Sequence, residues 1–156
     1  MDPLWSYPTG WQNPQTVKAS AALPAAGAWD TPVELVSSYA MHLHLQFTYT
    51  RGAAGGAFDW QIETSPYAVA ALVPAGASEW MTEAIYAAGA VVAGADTTDN
   101  VQRDLQSYES TGAGAEDFVF DIAIDGNVER YRVTARESGV VGTPGTLAIV
   151  GQLRIR

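Results

Sequence analysis

Met41-His42-Leu43-His44-Leu45-Gln46-Phe47-Thr48-Tyr49-Thr50 alternates without a break: odd positions are apolar or aromatic, even positions are polar. Successive side chains of a strand point to opposite faces, so this run reads as a half-buried antiparallel strand with one wet face. Arg51 to Gly56 is a flexible turn, and the chain returns as Phe58-Asp59-Trp60-Gln61-Ile62-Glu63-Thr64-Ser65, with Phe58, Trp60 and Ile62 on one face. The expectation is a long β-hairpin over 41–65.

Working outward, the same alternation recurs toward the C-terminus. Phe118, Phe120, Ile122 and Ile124 share one face, Asp125-Gly126 follows, and Val128 to Arg136 alternates again. Asp-Gly between alternating runs predicts a second hairpin, since that turn needs positive φ. Pro144-Gly145 predicts another turn before a last strand over 146–156. Toward the N-terminus, 17–23 has a weak period of two, and 24–32 reads as a loop. A short strand is expected over 68–73, between Pro66 and Pro74. Residues 78–86 are ambiguous, 94–100 read as an acidic loop, 101–108 as a strand and 110–116 as a Gly-Ala loop. About eight to ten short strands with little helix predict an all-β fold, a single antiparallel β-sandwich or jelly roll. Pro3, Pro8, Pro14 and Gly10 exclude a helix or a central strand from residues 1–16. That segment is therefore an extended arm, and 17–156 is the sandwich domain.

At 156 residues the chain is long enough for one domain that needs no metal or disulfide staple. Cysteine is absent, which excludes disulfides, thiolate chemistry and Cys-type zinc or iron–sulfur sites. Seventeen acidic residues against eight basic give a net charge of −9. The basic footprint that nucleic acid or an anionic membrane surface would require is missing. Neither a basic n-region with an apolar h-region nor a bilayer-long apolar run occurs, so the expected product stays in the cytoplasm that makes it unless a particle carries it out.

Few residues point to chemistry. His42 and His44 lie two apart on one strand face, as a two-ligand metal clip requires, with Glu63 or Asp59 as third ligand from the returning arm. The competing reading, which carries more weight, makes them polar residues of the wet face. Asp96, Asp99, Asn100 and Asp104 fit no EF-hand spacing and read as a solvated loop, with calcium as the weaker alternative. No Gly-x-Ser-x-Gly, phosphate loop or dinucleotide fingerprint occurs, and no carboxylate pair is singled out. Accordingly no catalytic residue, metal or cofactor is assigned, and the chain is read as a non-enzyme.

The aromatics point elsewhere. Trp5, Tyr7 and Trp11 sit in the arm, where rings give much buried area for few fixed torsions. They pack either on their own domain or on a neighbouring subunit. Trp29 and Trp80 lie in loops or at segment ends, where interface packing and stacking on a sugar ring look alike. Arg130, Arg132, Arg136, Arg154 and Arg156 concentrate positive charge in the last two strands. If those strands pair, one face carries several guanidinium groups and forms a docking face for an acidic partner. The plainer reading is cross-strand pairing with Glu129, Asp121 and Glu137.

Phe47-Thr48-Tyr49-Thr50-Arg51-Gly52, then Gly56 to Trp60, then Gln61 to Pro66, resembles a pattern of small tailed-phage virion proteins. Those proteins run a strand ending in Tyr-Thr-Arg/Lys-Gly, a short loop and a returning strand ending near Glu-x-Ser. Many carry a Trp shortly after, a place Trp80 takes later in this chain. Tyr131 to Arg136 and Thr143-Pro144-Gly145-Thr146-Leu147 are similar to their Arg-rich strand, turn and alternating tail. The resemblance covers about half the chain and omits the arm and the Gly-Ala loops. It implies a β-sandwich or jelly-roll virion protein of the capsid decoration or cement type, located on the capsid surface. Its expected partners are the major capsid protein and copies of itself, a homo-oligomer such as a trimer, with no nucleic acid and no membrane. The alternative is a carbohydrate-binding β-sandwich of a tail or host-recognition apparatus. A small hydrolase is the weakest reading.

Overall fold

A computed structural model describes residues 10–24, 28–31, 33–36, 40–52, 56–82, 85–86, 102–103, 106–123, 128–138 and 142–155. These form β1 (Gly10–Trp11), β2 (Gln15–Ala22), β3 (Glu34–Val36), β4 (Ala40–Thr50), β5 (Ala57–Ser65) and β6 (Met81–Thr82). Then follow β7 (Ile85–Tyr86), β8 (Gln102–Arg103), β9 (Gln106–Glu109), β10 (Ala115–Ala123), β11 (Arg130–Glu137) and β12 (Thr146–Ile155). No helix among the described residues is long and apolar enough to cross a membrane.

Two five-stranded antiparallel sheets face each other. In the first, β12 is flanked by β1 and β2 on one side and by β4 on the other, with β10 beyond β4. In the second, β3, β11 and β5 run in order, and β6 and β9 pair along the far side of β5. β7 and β8 form a separate small ribbon. The pairs β2–β12, β3–β11, β4–β10 and β5–β9 nest inside one another in sequence, and successive pairs alternate between the sheets. A long antiparallel hairpin rolled up across two sheets produces that nesting, so the sandwich has jelly-roll connectivity.

Both expected hairpins are thereby corrected. β4 pairs with β10 and β12, β5 pairs with β11, β9 and β6, and the two are in opposite sheets. Leu43, Leu45, Phe47 and Tyr49 meet Phe58, Trp60 and Ile62 across the interior, where all seven are buried. Alternation tells which side of a strand is dry, and a strand in the facing sheet needs the same pattern as one alongside. β10 and β11 are likewise in different sheets. Asp125 and Gly126 between them lie outside the described residues. The strand expected over 68–73 is instead a surface loop with a single 3-10 turn, Ala70–Leu72, whose N–H groups are met locally: Leu72 N donates to Val69 O and Val73 N to Ala70 O.

The core is aromatic at its centre. Phe47 stacks on Phe118 at 4.7 Å and meets Trp60 at 4.7 Å; Tyr49 meets Phe58 at 4.7 Å, and Tyr108 stacks on Phe118 at 4.2 Å. Such pairs contribute about 0.5–1.5 kcal/mol each beyond the area they bury. They tie β4 and β10 of one sheet to β5 and β9 of the other. The register of β2 and β12 shifts twice, between Leu147 and Ile149 and between Ile149 and Val150. Residues 10–16, assigned from sequence to the arm, include β1, which pairs with Ile155 and Arg154, and the first residues of β2. The 16/17 boundary thus falls inside a strand of the sandwich.

Candidate functional site

β11 alternates Arg130, Arg132, Thr134, Arg136 on its outer side with Tyr131, Val133, Ala135, Glu137 inward. The arginines are engaged by their own chain. Arg130 donates to Glu34 at 2.8 Å, to Glu79 at 2.7 Å and to the Tyr67 carbonyl at 2.7 Å, with only 7% of its side chain exposed. The Glu79 carboxylate, then Glu34, hold its guanidinium in the charged form against the cost of burial. Arg132 donates to Glu63 at 2.7 Å and Arg136 to Asp59 at 3.3 Å. The two loop tryptophans complete this layer. Arg132 lies 4.3 Å and Arg130 4.9 Å from the Trp80 ring centroid, and Arg136 lies 4.4 Å from that of Trp29. Each ring is within cation–π reach of a guanidinium.

The single arginine face expected from pairing of the last two strands is therefore corrected: β11 and β12 belong to different sheets. Arg154 is on the other sheet, and Arg156 is outside the described residues. Glu137, expected among surface partners, points inward instead. Among the described residues, the ion-pair partners of these arginines include Glu34, Glu79, Glu63 and Asp59, supplied by β3, the 66–80 loop and β5.

The outer face of the first sheet is barer. His44 Nδ1 meets Asp121 at 2.6 Å, and Thr48 donates to Asp117 at 2.6 Å. Val119 and Val150 are exposed on this face. His42 and His44 do share the face, but Asp59 and Glu63, the suggested third ligands, belong to the opposite sheet. Among the described residues no three His, Cys, Asp or Glu come together as a metal group. Trp11 lies at this sheet's edge, 47% exposed, with its ring edge-on to His44 at 6.0 Å and Arg154 5.9 Å from its centroid. Trp5, Tyr7, Asp96, Asp99, Asn100 and Asp104 lie outside the described residues.

At one end of the sandwich, two carboxylates pin loops in place. Glu137 is 1% exposed and accepts from the Tyr49 hydroxyl at 3.3 Å and from the Gly145 N–H. Burial, followed by this carboxylate, pushes the Tyr49 hydroxyl pKa well up. A Cβ on Gly145 would come within 2.6 Å of the Tyr49 ring, so the turn can approach only as glycine. Glu116 gathers Tyr108 OH at 2.7 Å, Ser110 Oγ at 3.0 Å, and the N–H groups of Thr111 and Gly112. The Tyr108 bond leads in holding its carboxyl below the ordinary range, while Tyr108 itself is pushed up to about 12 by burial and then by Glu116. Both groups fasten connections between the sheets.

Sequence reasoning missed this end. Glu137 was findable, because it continues the inward parity of Tyr131, Val133 and Ala135. Glu116 was not: its partners lie in a Gly-rich loop whose turn no periodicity predicts. Comparison of the chain with family models, with curated proteins and with solved structures returned no match in any of the three.

Proposed function

We propose that this chain is a non-enzymatic virion structural protein of a tailed phage, of the capsid decoration or cement type. It binds the major capsid shell and sits there as a homo-oligomer. The observation that supports this best is the root of the arm. β1 leads the arm onto the edge of the first sheet at Trp11, whose ring stays half-exposed beside His44 and Arg154. Trp5 and Tyr7 lie immediately upstream. Aromatic anchors at such a point are suited to a partner pocket, where each contributes hot-spot energy of about 2 kcal/mol or more. The jelly-roll core supplies a rigid base for them, and a net charge of −9 suits a surface facing solvent rather than packaged DNA.

The carbohydrate-binding alternative relied on Trp29 and Trp80. Both rings are already within reach of guanidinium groups of their own sheet, which leaves less of each for a sugar.

The test is co-sedimentation with empty shells of the full chain, a chain lacking residues 1–9, and Trp11→Ala. Truncation at residue 9 leaves β1 and β2 whole. The full chain should pellet with shells, the truncation should not, and Trp11→Ala should weaken binding by about 30-fold. Equal binding by all three would overturn the reading, and a glycan screen with Trp29→Ala and Trp80→Ala would follow.

A further inference from the structure

The margins of the two sheets are guarded unequally. β1, β3, β6 and β9 are two to four residues long, and β2 changes register twice against β12. Short or irregular strands at a sheet margin are poor templates for another chain. β10 has neither safeguard. It runs nine residues, pairs with β4 without a register shift from Ala115 to Ala123, and contains no proline, glycine or lysine. Among the described residues, β4 is its one strand partner. Alternate residues of such a margin aim their N–H and C=O groups away from the sheet.

The side chains of β10 divide by face. Phe118, Phe120 and Ile122 point into the sandwich yet are only partly buried, which leaves apolar surface along this margin. On the outer face, exposed Asp117 and Asp121 flank Val119, itself 57% exposed. The Oδ1 atoms of the two aspartates meet Thr48 and His44 of β4, and Oδ2 of each takes no part in those bonds. A strand laid beside β10 would therefore meet apolar groups on one face and two carboxylates on the other. β10 is held straight by its nine pairs with β4, so it loses little conformational freedom when a strand is added.

We propose that β10 accepts an added strand from a partner protein, and that this strand is cationic. It carries Lys or Arg opposite Asp117 and Asp121, and apolar residues at the alternate positions beside Phe118, Phe120 and Ile122. Main-chain hydrogen bonds supply the attachment and the alternating side chains the selectivity. Charge selects this occupant. The net charge of −9 draws a cationic segment in before contact, and the two aspartates pair with it on arrival. A second copy fits worse: two β10 strands paired antiparallel over their full length centre on Val119 and set each Asp117 opposite an Asp121. The arm of a neighbouring copy fits worse as well, since residues 1–16 hold no Lys or Arg and Pro3 and Pro8 interrupt them. β10 is at the opposite margin of the first sheet from β1, so this site is separate from the arm of the proposed function. It is tested without shells, so its failure and that of shell binding are distinguishable.

The experiment measures binding of a dye-labelled, end-blocked peptide, Val-Lys-Ile-Thr-Val-Lys-Thr, to the full chain by fluorescence anisotropy, with amide hydrogen exchange of the chain read alongside. A counterpart with Glu in place of both Lys is the control. The Lys peptide should bind at least about 10-fold tighter than the Glu peptide, and Asp117→Asn/Asp121→Asn should bring the two within about twofold. The bound Lys peptide should slow exchange of β10 amides by about 10-fold or more. Equal binding of both peptides, no binding up to about 1 mM, protection away from β10, or a double variant that discriminates as the wild type does would overturn the proposal. Protection of every β10 amide in the free chain would overturn it too. Seen at all concentrations, that result would mean the chain covers its own margin; seen only at high concentration, it would give the margin to a second copy.

Discussion

The outer faces of the two sheets solve the same problem differently. On the second sheet, three arginines of β11 are met by four carboxylates and two tryptophans, and the 66–80 loop lies over part of the layer. On the first sheet, the polar pairs are single and open: His44 with Asp121, Thr48 with Asp117, with Val119 and Val150 exposed among them. The contrast shows that charge clustered in sequence can be taken up within the chain's own fold. The arginine-rich strand spends its charge on architecture, whereas the face carrying few cations holds the exposed Trp11 at its edge.

The largest effect should come from breaking the covered face at its most buried cation. Arg130→Ala leaves the Tyr67 carbonyl, Glu34 and Glu79 without their shared donor. Both carboxylates can regain water, so the loss should be about 2–3 kcal/mol, somewhat below that for a fully buried pair. Urea denaturation checks it; a change under about 0.5 kcal/mol would mean that the layer is no stronger than ordinary surface pairing.

A middle-sized effect concerns the carboxylate that fastens the two sheets at one end. The folded pKa of Glu116 is depressed, first by the Tyr108 hydroxyl. Its contribution is therefore present above the ordinary carboxylate pKa and is lost as pH falls through the folded value. Glu116→Gln should lose that contribution at neutral pH, flatten the acid limb of the stability–pH curve and converge on wild-type stability at low pH. An acid limb identical to wild type would exclude this linkage.

The smallest effect is expected on the open face. Asp121→Asn removes the partner of His44, and both side chains are already well hydrated. Stability at neutral pH should move by no more than about 0.5 kcal/mol, as for other exposed pairs. If thermal or urea unfolding shows a larger loss than for Arg130→Ala, the distinction between the faces fails.

Much of the fold was legible residue by residue. The inward set Leu43, Leu45, Phe47, Tyr49, Phe58, Trp60 and Ile62 was read correctly from parity alone and forms the centre of the core. The all-β sandwich followed from the number of such runs. The neighbours of each strand did not follow. Six residues between β4 and β5 serve equally to close a hairpin or to cross the roughly 10 Å between sheets. Of the candidate site residues, Trp11 lies half-exposed at the sheet edge. The arginine face dissolved once β11 and β12 parted. The apolar run at 68–73 reads as a strand because, in sequence, an apolar run between prolines looks the same whether it is buried or exposed.

By itself, then, the order of amino acids determined which face of each strand is dry, that the fold is built from strands, and that the chain lacks cysteine chemistry and a basic surface. Those are local or compositional properties, set by the two-residue period of the backbone and by formal charge. Tertiary structure alone decided that consecutive long strands face each other rather than pair, and that Arg130 bonds both ends of the 66–80 loop. Each of those depends on contacts between residues far apart in the chain, where several pairings satisfy the same local pattern and close packing of the whole selects one.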